Sequence, residues 1–494
     1  MNLSDRSAQW GALLDNAREL CEHAQPVATR GRLTRVRGMT LEASGISLPI
    51  GSICQVETPI SNQGAKSELA AGGLDAEVLG FGENRLLLMP TQSTTGLTPG
   101  AQISPVEPVI RRPRLRRLSH AWARQSDQAR HLPIGPGLLG RIVDARGSTL
   151  DGLGDLGLVD SRPIRSRSIN AMKRHPIRQP LDTGVRAINT MLTVGRGQRL
   201  GLFAGAGVGK SVLLGMMARH TDADVIVVGL IGERGREVRE FVDEILGPSG
   251  RHRAAVVVAP ADEPALLKIQ AANYACAVAE YFRDQGLNVL LLMDSLTRYA
   301  MALREVSLAM GEAPATRGYP ASVFSRLPEL IERAGNSAEG SGSITGFYTV
   351  LIEGDDLNDP VGDSARSHLD GHIVLSRDLA DSGHFPAIAI EASVSRVMMS
   401  IAQPEHQKAS RLVRQAWAAY QQNRDLISLG AYVSGADPVI DQAVAAWPAI
   451  AELMKQDMNA RGSLIGDIEQ LQQVAQHLSP SSAMADEGEN PGAP

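Results

Sequence analysis

RLGLFAGAGVGKSVLLGMMARH, residues 199–220, starts as an apolar strand, passes through a glycine-rich turn and continues as a helical segment. The turn and helix start, Gly205, Ala206, Gly207, Val208, Gly209, Lys210, Ser211 and Val212, form a phosphate-binding loop in the strand–loop–helix setting that such a loop requires. Glycines let successive backbone N–H groups turn inward on phosphate oxygens, and the helix N-terminus adds its dipole. Lys210 then reaches the β- and γ-phosphates, and the Ser211 hydroxyl is a ligand for Mg²⁺. Ala204 stands where the strict pattern has glycine, a sterically mild change.

Two further pieces extend the reading. VLLLMD, residues 289–294, is a buried-strand pattern ending in Asp294. A strand-terminal aspartate is more often a helix cap or an ion-pair partner, but beside a phosphate loop it is expected to hold Mg²⁺, partly through water. GERGRE, residues 232–237, follows VIVVGLI and leaves Glu233 at a strand C-terminal edge, where parallel sheets bind ligands. A carboxylate there can polarise the water that attacks the γ-phosphorus. Alone, this motif would also fit a charged turn. From 180 to 400 such strand patterns alternate with helical ones, which predicts an α/β core with a largely parallel sheet.

The chain has 494 residues, 43% of them hydrophobic and 21% charged, so a disordered chain, a fibrous repeat and a disulfide-stapled miniprotein are excluded. At roughly 150 residues per domain the length allows about three domains. Net charge is -5, which does not advertise a nucleic-acid or anionic-membrane binder. Cys21, Cys54 and Cys276 are scattered without CxxC spacing and read as buried free thiols in a reducing compartment. No segment has signal-peptide or membrane-span character, so a cytoplasmic location is expected.

Outside the core, residues 1–27 place Leu3, Trp10, Leu13, Leu14, Ala17, Leu20 and Cys21 on one helical stripe, while the polar face is of mixed charge. Docking on a protein, or on its own domain, is expected. Residues 28–105 read as short strands broken by turns, the pattern of a small β-barrel whose one aromatic residue is Phe81. Residues 106–179 form a basic linker and lead-in to the core. Over 106–178 this stretch carries 15 Lys and Arg against six Asp and Glu, densest at Arg111, Arg112, Arg114, Arg116 and Arg117. Such a run is usually a solvated face and otherwise an anionic contact. The core then spans 180–402, a helical domain 403–478, and a Ser-, Pro- and Gly-rich disordered tail 479–494.

LDTGVRAINTMLTVGRGQRLGLFAGAGVGKS, MDSLTRYAMALREVSLAMGEAPATRGYPASVFSRLPELIERAG, GSITGFYTVLIEGDDLNDPVGDSARSHLDGHIVLSR and RDLISLGAYVSGADPVIDQAV together cover most of residues 180–445. In these stretches the chain resembles the α/β-type hexameric ATPases related to the catalytic subunit of rotary ATP synthases, and within them the flagellar protein-export ATPases. The resemblance implies a RecA-like P-loop ATPase core with an N-terminal barrel and a C-terminal helical domain, acting as a homohexamer on ATP with Mg²⁺. It implies that Glu233 is the catalytic glutamate. It also implies that Arg396, in SVSRV, is an arginine finger for the neighbouring subunit, and that Phe385 stacks on adenine.

The resemblance further implies an elongated regulatory or stator protein at the N-terminal helix. Other expected partners are an export gate, a central stalk protein and chaperone–substrate complexes, with peripheral contact at the cytoplasmic face of the inner membrane. Ala389 replaces an acidic residue usual in the family signature, and Glu312 stands where rotary catalytic subunits have arginine, which argues for an export-type enzyme. The Arg-rich stretch 111–130 reads as an insertion. A virulence type III secretion ATPase is the runner-up. A nucleic-acid-tracking hexamer is more remote, because Phe81 alone is a poor base-stacking platform. A noncatalytic nucleotide-binding subunit is disfavoured by the joint presence of Glu233 and Arg396.

Overall fold

The computed structural model describes residues 10, 11, 13–15, 30–57, 73–82, 85–106, 130–166, 168–338, 342–352 and 359–478. Most of the expected N-terminal helix, Cys21, the Arg111–Arg117 cluster and the tail from 479 lie outside them. Contacts divide the chain into two units, Met1–Gln128 and Ala129–Pro494.

In the first unit, β1 (Gly31–Arg37), β2 (Thr40–Ser44), β3 (Ile53–Val56), β4 (Leu74–Gly82), β5 (Arg85–Pro90) and β6 (Gln102–Pro105) close a barrel in the order β1-β2-β5-β4-β3-β6. Alternate residues point inward, so Leu33, Leu41, Ala43, Cys54, Val56, Ala76, Val78, Leu88 and Ile103 make its core. Register shifts at Leu33/Arg35 and Val78/Gly80 bend the strands toward closure. Phe81 is exposed.

The second unit is built on a nine-stranded sheet. Its strands, with two small pairs beside it, are β7 (His131–Ile134), β8 (Ile142–Asp144), β9 (Asp160–Pro163), β10 (Pro180–Leu181), β11 (Val194–Gly195), β12 (Arg199–Ala204), β13 (Val225–Ile231), β14 (Ala254–Ala259), β15 (Asn288–Asp294), β16 (Gly335–Asn336), β17 (Ser343–Leu351), β18 (Gly371–Val374) and β19 (Val394–Ser395). The sheet order is β19-β18-β12-β17-β15-β13-β14-β8, with β16 on β17; only β16 and β19 are antiparallel to their neighbours. Every residue of β13 and β14 is buried, because helices cover both faces of a parallel sheet.

β8 refines the expected linker: the sheet begins well before residue 180, with Ile142 opposite Val256. This three-residue strand is held by Asp151, which accepts from Arg141 Nε at 2.8 Å and from the Ile142 and Leu153 amides at 3.0 Å. The guanidinium of Arg141 keeps that carboxyl well below the usual carboxylate range.

Three C-terminal helices, Pro404–Ser428, Pro438–Met454 and Leu464–His477, pack around the buried Trp417. Trp447 lies 5.0 Å from Trp417 and stacks on Tyr420 at 3.7 Å. Trp417 Nε1 donates to Glu391 Oε2 at 2.8 Å, and Arg414 donates to the Ser393 and Met191 carbonyls at 3.2 and 3.0 Å. Asn189, in the helix Arg186–Met191, ties the last of these helices to the segment after β10 by donating to Asp182 at 2.8 Å and Asp467 at 2.9 Å. Cys54 and Cys276 are buried free thiols, and no helix among the described residues is long and apolar enough to cross a membrane.

Glu280 and Arg333 form a two-pronged ion pair, with both N–O distances at 2.8 Å, that joins the helix Ala265–Asp284 to the segment after Ala321–Ile331. Ser166 also donates to Glu280 Oε2 at 2.6 Å. Glu280→Ala strands a buried guanidinium and is expected to cost about 3–5 kcal/mol in urea unfolding, whereas Glu280→Gln with Arg333→Met recovers most of that loss. An equal loss in the double variant would show that packing, not the orphaned charge, dominates.

Candidate nucleotide-binding site

β12 runs into the glycine-rich loop, and the helix Lys210–His220 opens directly after it. Gly207 and Gly209 have φ of 80° and 89°, the left-handed region that side chains resist, so the loop turns without strain only with glycine there. Val208 is buried in the core, which anchors the loop between these two hinges.

Lys210 reaches across the C-terminal ends of two neighbouring strands. Its Nζ donates to Asp294 Oδ1, at the end of β15, at 2.6 Å. It also donates to Glu233 Oε1, just beyond β13, at 3.1 Å. The three side chains are nearly enclosed, at 12% exposure for Lys210, 14% for Glu233 and 4% for Asp294. Burial depresses the lysine pKa, but Asp294 and Glu233 more than reverse this, so the ammonium is held charged with its pKa above the ordinary value. Burial pushes the Asp294 carboxyl up, against the opposing pull of Lys210.

Glu233 is delivered by a constrained turn. Gly232 has φ of 75°, and a Cβ there would lie 2.9 Å from Arg298 Cβ, so glycine is needed for both conformation and close approach. The Glu233 carbonyl accepts from Ala261 N at 2.9 Å, which fixes the residue after the turn. Thr349, near the C-terminal end of β17, donates to Asp294 Oδ1 at 2.7 Å and orients that carboxylate.

Ser211 lies beside Lys210 at the helix start, so a hydroxyl and two carboxylates stand at one edge of the sheet. That oxygen set suits a hard divalent cation. No cluster of three metal-ligating His, Cys, Asp or Glu residues occurs among the described residues.

Phe385 lies beside the loop: a methyl on Gly209 would sit 3.6 Å from its ring carbons Cδ1 and Cε1. The ring is 47% exposed. Arg396 is not brought to this cluster. Its amide donates to the Asp370 carbonyl at 3.0 Å, and the Asp370 amide donates to Arg199, the first residue of β12, at 2.8 Å. The phosphate loop leaves the other end of that strand, about 17 Å away at 3.3 Å per residue. Arg396 is exposed at the opposite end of the sheet. Ala389 is buried against β18, where its amide donates to the Val374 carbonyl at 2.9 Å, and Glu312 is half-buried in the loop that follows the helix Leu296–Ala309.

Sequence reasoning passed over Thr349 and Gln456. Thr349 carried a signal, a hydroxyl inside the buried run SITGFYTVL. Gln456 carried none, because most of its partners are distant in the chain: its backbone amide donates to the Phe385 carbonyl at 3.0 Å.

Comparison with known proteins places the chain in a family. Residues 184–395 match the nucleotide-binding domain of the ATP synthase alpha/beta family, and residues 402–473 match the C-terminal domain of the EscN ATPase of type III secretion systems. The assembled ATPase EscN of the enteropathogenic E. coli type III secretion system is similar in structure, with a TM-score of 0.79 and 39% identity over 90% of this chain and 100% of that one. EscN in complex with its central stalk EscO gives a TM-score of 0.77 at the same identity and coverage. The flagellum-specific ATP synthase of Pseudomonas aeruginosa is 53% identical over 441 residues, covering 89% of this chain and 92% of the relative. With that identity running through both units, and a phosphate loop whose lysine meets strand-end carboxylates, the chain belongs to the flagellum-specific ATP synthase family.

Proposed function

We propose that the chain hydrolyses ATP with Mg²⁺ as a homohexamer that drives flagellar type III protein export. The observation that carries this reading is the Lys210 ammonium placed between Glu233 and Asp294 at the mouth of the phosphate loop. Identity to flagellum-specific relatives, 53% against 39% for EscN, favours the flagellar system over a virulence system.

Phosphoryl transfer needs mainly positioning and charge neutralisation. The backbone from Gly205 to Val212 cradles the phosphates, and Lys210 supplies a point charge to the β- and γ-oxygens. Ser211 and Asp294 would hold Mg²⁺, which when bound neutralises charge on the phosphates. Glu233 orients the attacking water and takes its proton. Phe385, half-exposed beside Gly209, offers its face to the adenine. Arg396 stands at the far end of its own sheet, which suits a finger that completes the site of the next subunit.

The resemblance also supplies the partners of this reading. EscN forms a complex with a central stalk, and the same kind of partner is proposed here. Trp10, Leu13 and Leu14 are helical and 64%, 61% and 65% exposed, an uncovered apolar stripe for the regulatory or stator protein. The proposed setting is the cytoplasmic face of the inner membrane, beside the export gate and the chaperone–substrate complexes.

Lys210→Ala is expected to lower kcat by about 10²–10³-fold, the loss typical of one transition-state charge contact, with the circular dichroism spectrum unchanged. Near-normal turnover would overturn the loop assignment. Glu233→Gln keeps size and loses basicity, so ATP binding should persist while turnover falls by about 10²–10⁴-fold. Normal turnover would move water activation to another group. Arg396→Ala should leave nucleotide binding at low protein concentration intact and abolish the rise of specific activity with concentration. If that rise survives, the finger does not act between subunits.

A further inference from the structure

Gln456 follows the helix Pro438–Met454 and is buried, and its carboxamide is fully used. Nε2 donates to the Gly184 and Ala460 carbonyls at 2.8 Å each, and Oε1 accepts from the Arg186 amide at 2.7 Å. Two donor hydrogens and one acceptor oxygen thus all have partners. Its own amide donates to the Phe385 carbonyl at 3.0 Å, which links the half-exposed ring to this fixed point.

The fixed point bears on the helix that carries Lys210. Gly184 has φ of 71°, and a Cβ there would come within 2.2 Å of the Cβ of His220, the last residue of that helix. Gly462 N donates to the same Gly184 carbonyl at 2.9 Å, and Arg219, one residue before His220, donates to the Met458 carbonyl at 2.6 Å. The loop through Gln456 is therefore strapped to the far end of the Lys210 helix, while Phe385 lies against Gly209 at its near end. His384, the residue before Phe385, is held by packing on Trp417 at 5.7 Å, and burial with help from Lys455 pushes its pKa down to about 4.

Building on the nucleotide reading above, we propose that Gln456 is a positioning residue that holds Phe385 against the phosphate loop and so sets affinity for the base of the nucleotide. A half-exposed ring takes much of its position from its backbone, and the Phe385 carbonyl is tied to the Gln456 amide. The C-terminal helical region, rather than the sheet, then governs the base contact while the sheet governs the phosphate contact.

The test compares ATP with inorganic triphosphate, which offers phosphates and no base, on the full chain. Gln456→Met should raise KM for ATP about three- to tenfold, the worth of one well-placed aromatic contact. It should lower kcat by a smaller factor and leave inhibition by inorganic triphosphate unchanged. Phe385→Ala should raise KM by a similar factor, and adding Gln456→Met to it should do no more. Gln456→Glu keeps the volume and the acceptor for Arg186 but loses both Nε2 donors, so it should act in the same direction and serves if the methionine variant fails to fold. An unchanged KM in Phe385→Ala would overturn the base reading itself. A raised KM in Phe385→Ala with none in the Gln456 variants would overturn the positioning role alone, as would additive effects. Equal weakening of ATP and inorganic triphosphate would reduce Gln456 to a general structural part.

Discussion

An ammonium that is nearly enclosed by protein persists only beside carboxylates, and the Lys210 contact with Asp294 and Glu233 supplies them at 2.6 and 3.1 Å. One carboxylate ends β15 and the other follows β13, so the contact exists only while β13, β15 and β17 hold their register, Leu230 opposite Asp294 and Met293 opposite Tyr348. A slip of one residue would turn Asp294 to the other face of the sheet. Thr349 reinforces the arrangement from β17, and the helices that bury both faces of β13 and β14 keep the strands from shifting.

The segment from His384 to Arg396 spans the two ends of the sheet. Phe385 lies at the phosphate-loop end, beside Gly209, and Arg396 lies near Asp370 at the other. Between them the chain is gripped by the C-terminal helices: Trp417 donates to Glu391, and Arg414 to the Ser393 carbonyl. One short run thus carries both groups of the proposed function, an aromatic ring beside the subunit's own phosphate loop and a guanidinium for the next subunit in the ring. Rigid-body movement of the helical region would act on both at once, because both hang from the same grip.

How much was legible depended on how local the physics was. The phosphate loop could be read because its glycines, lysine and serine are consecutive and each has a role fixed by backbone geometry. Asp294 was legible once the loop was known, since an apolar strand that ends in a carboxylate implies a sheet edge. Glu233 was ambiguous in sequence, and the turn at Gly232, with Arg298 packed against it, resolves its placement. Thr349 was overlooked, because a hydroxyl in an apolar strand has meaning only through the strand beside it. The strand Ile142–Asp144 was absorbed into an expected lead-in, since three residues show no periodicity and pair only because Asp151 anchors them.

The sequence by itself determined the groups on offer: a glycine-rich loop of the phosphate-binding type, an aspartate and a glutamate at strand ends, and the order barrel, α/β core, helices. These follow from residue types at short spacing, where local conformation dominates. Only the tertiary structure decided which groups meet. Lys210 is 84 residues from Asp294, and Arg186 is 270 from Gln456, so their contacts are set by strand register and helix packing rather than by anything local. The same packing sends Arg396 away from Lys210, because a strand that carries the phosphate loop at one end necessarily puts residues paired at its start on the opposite edge of the sheet.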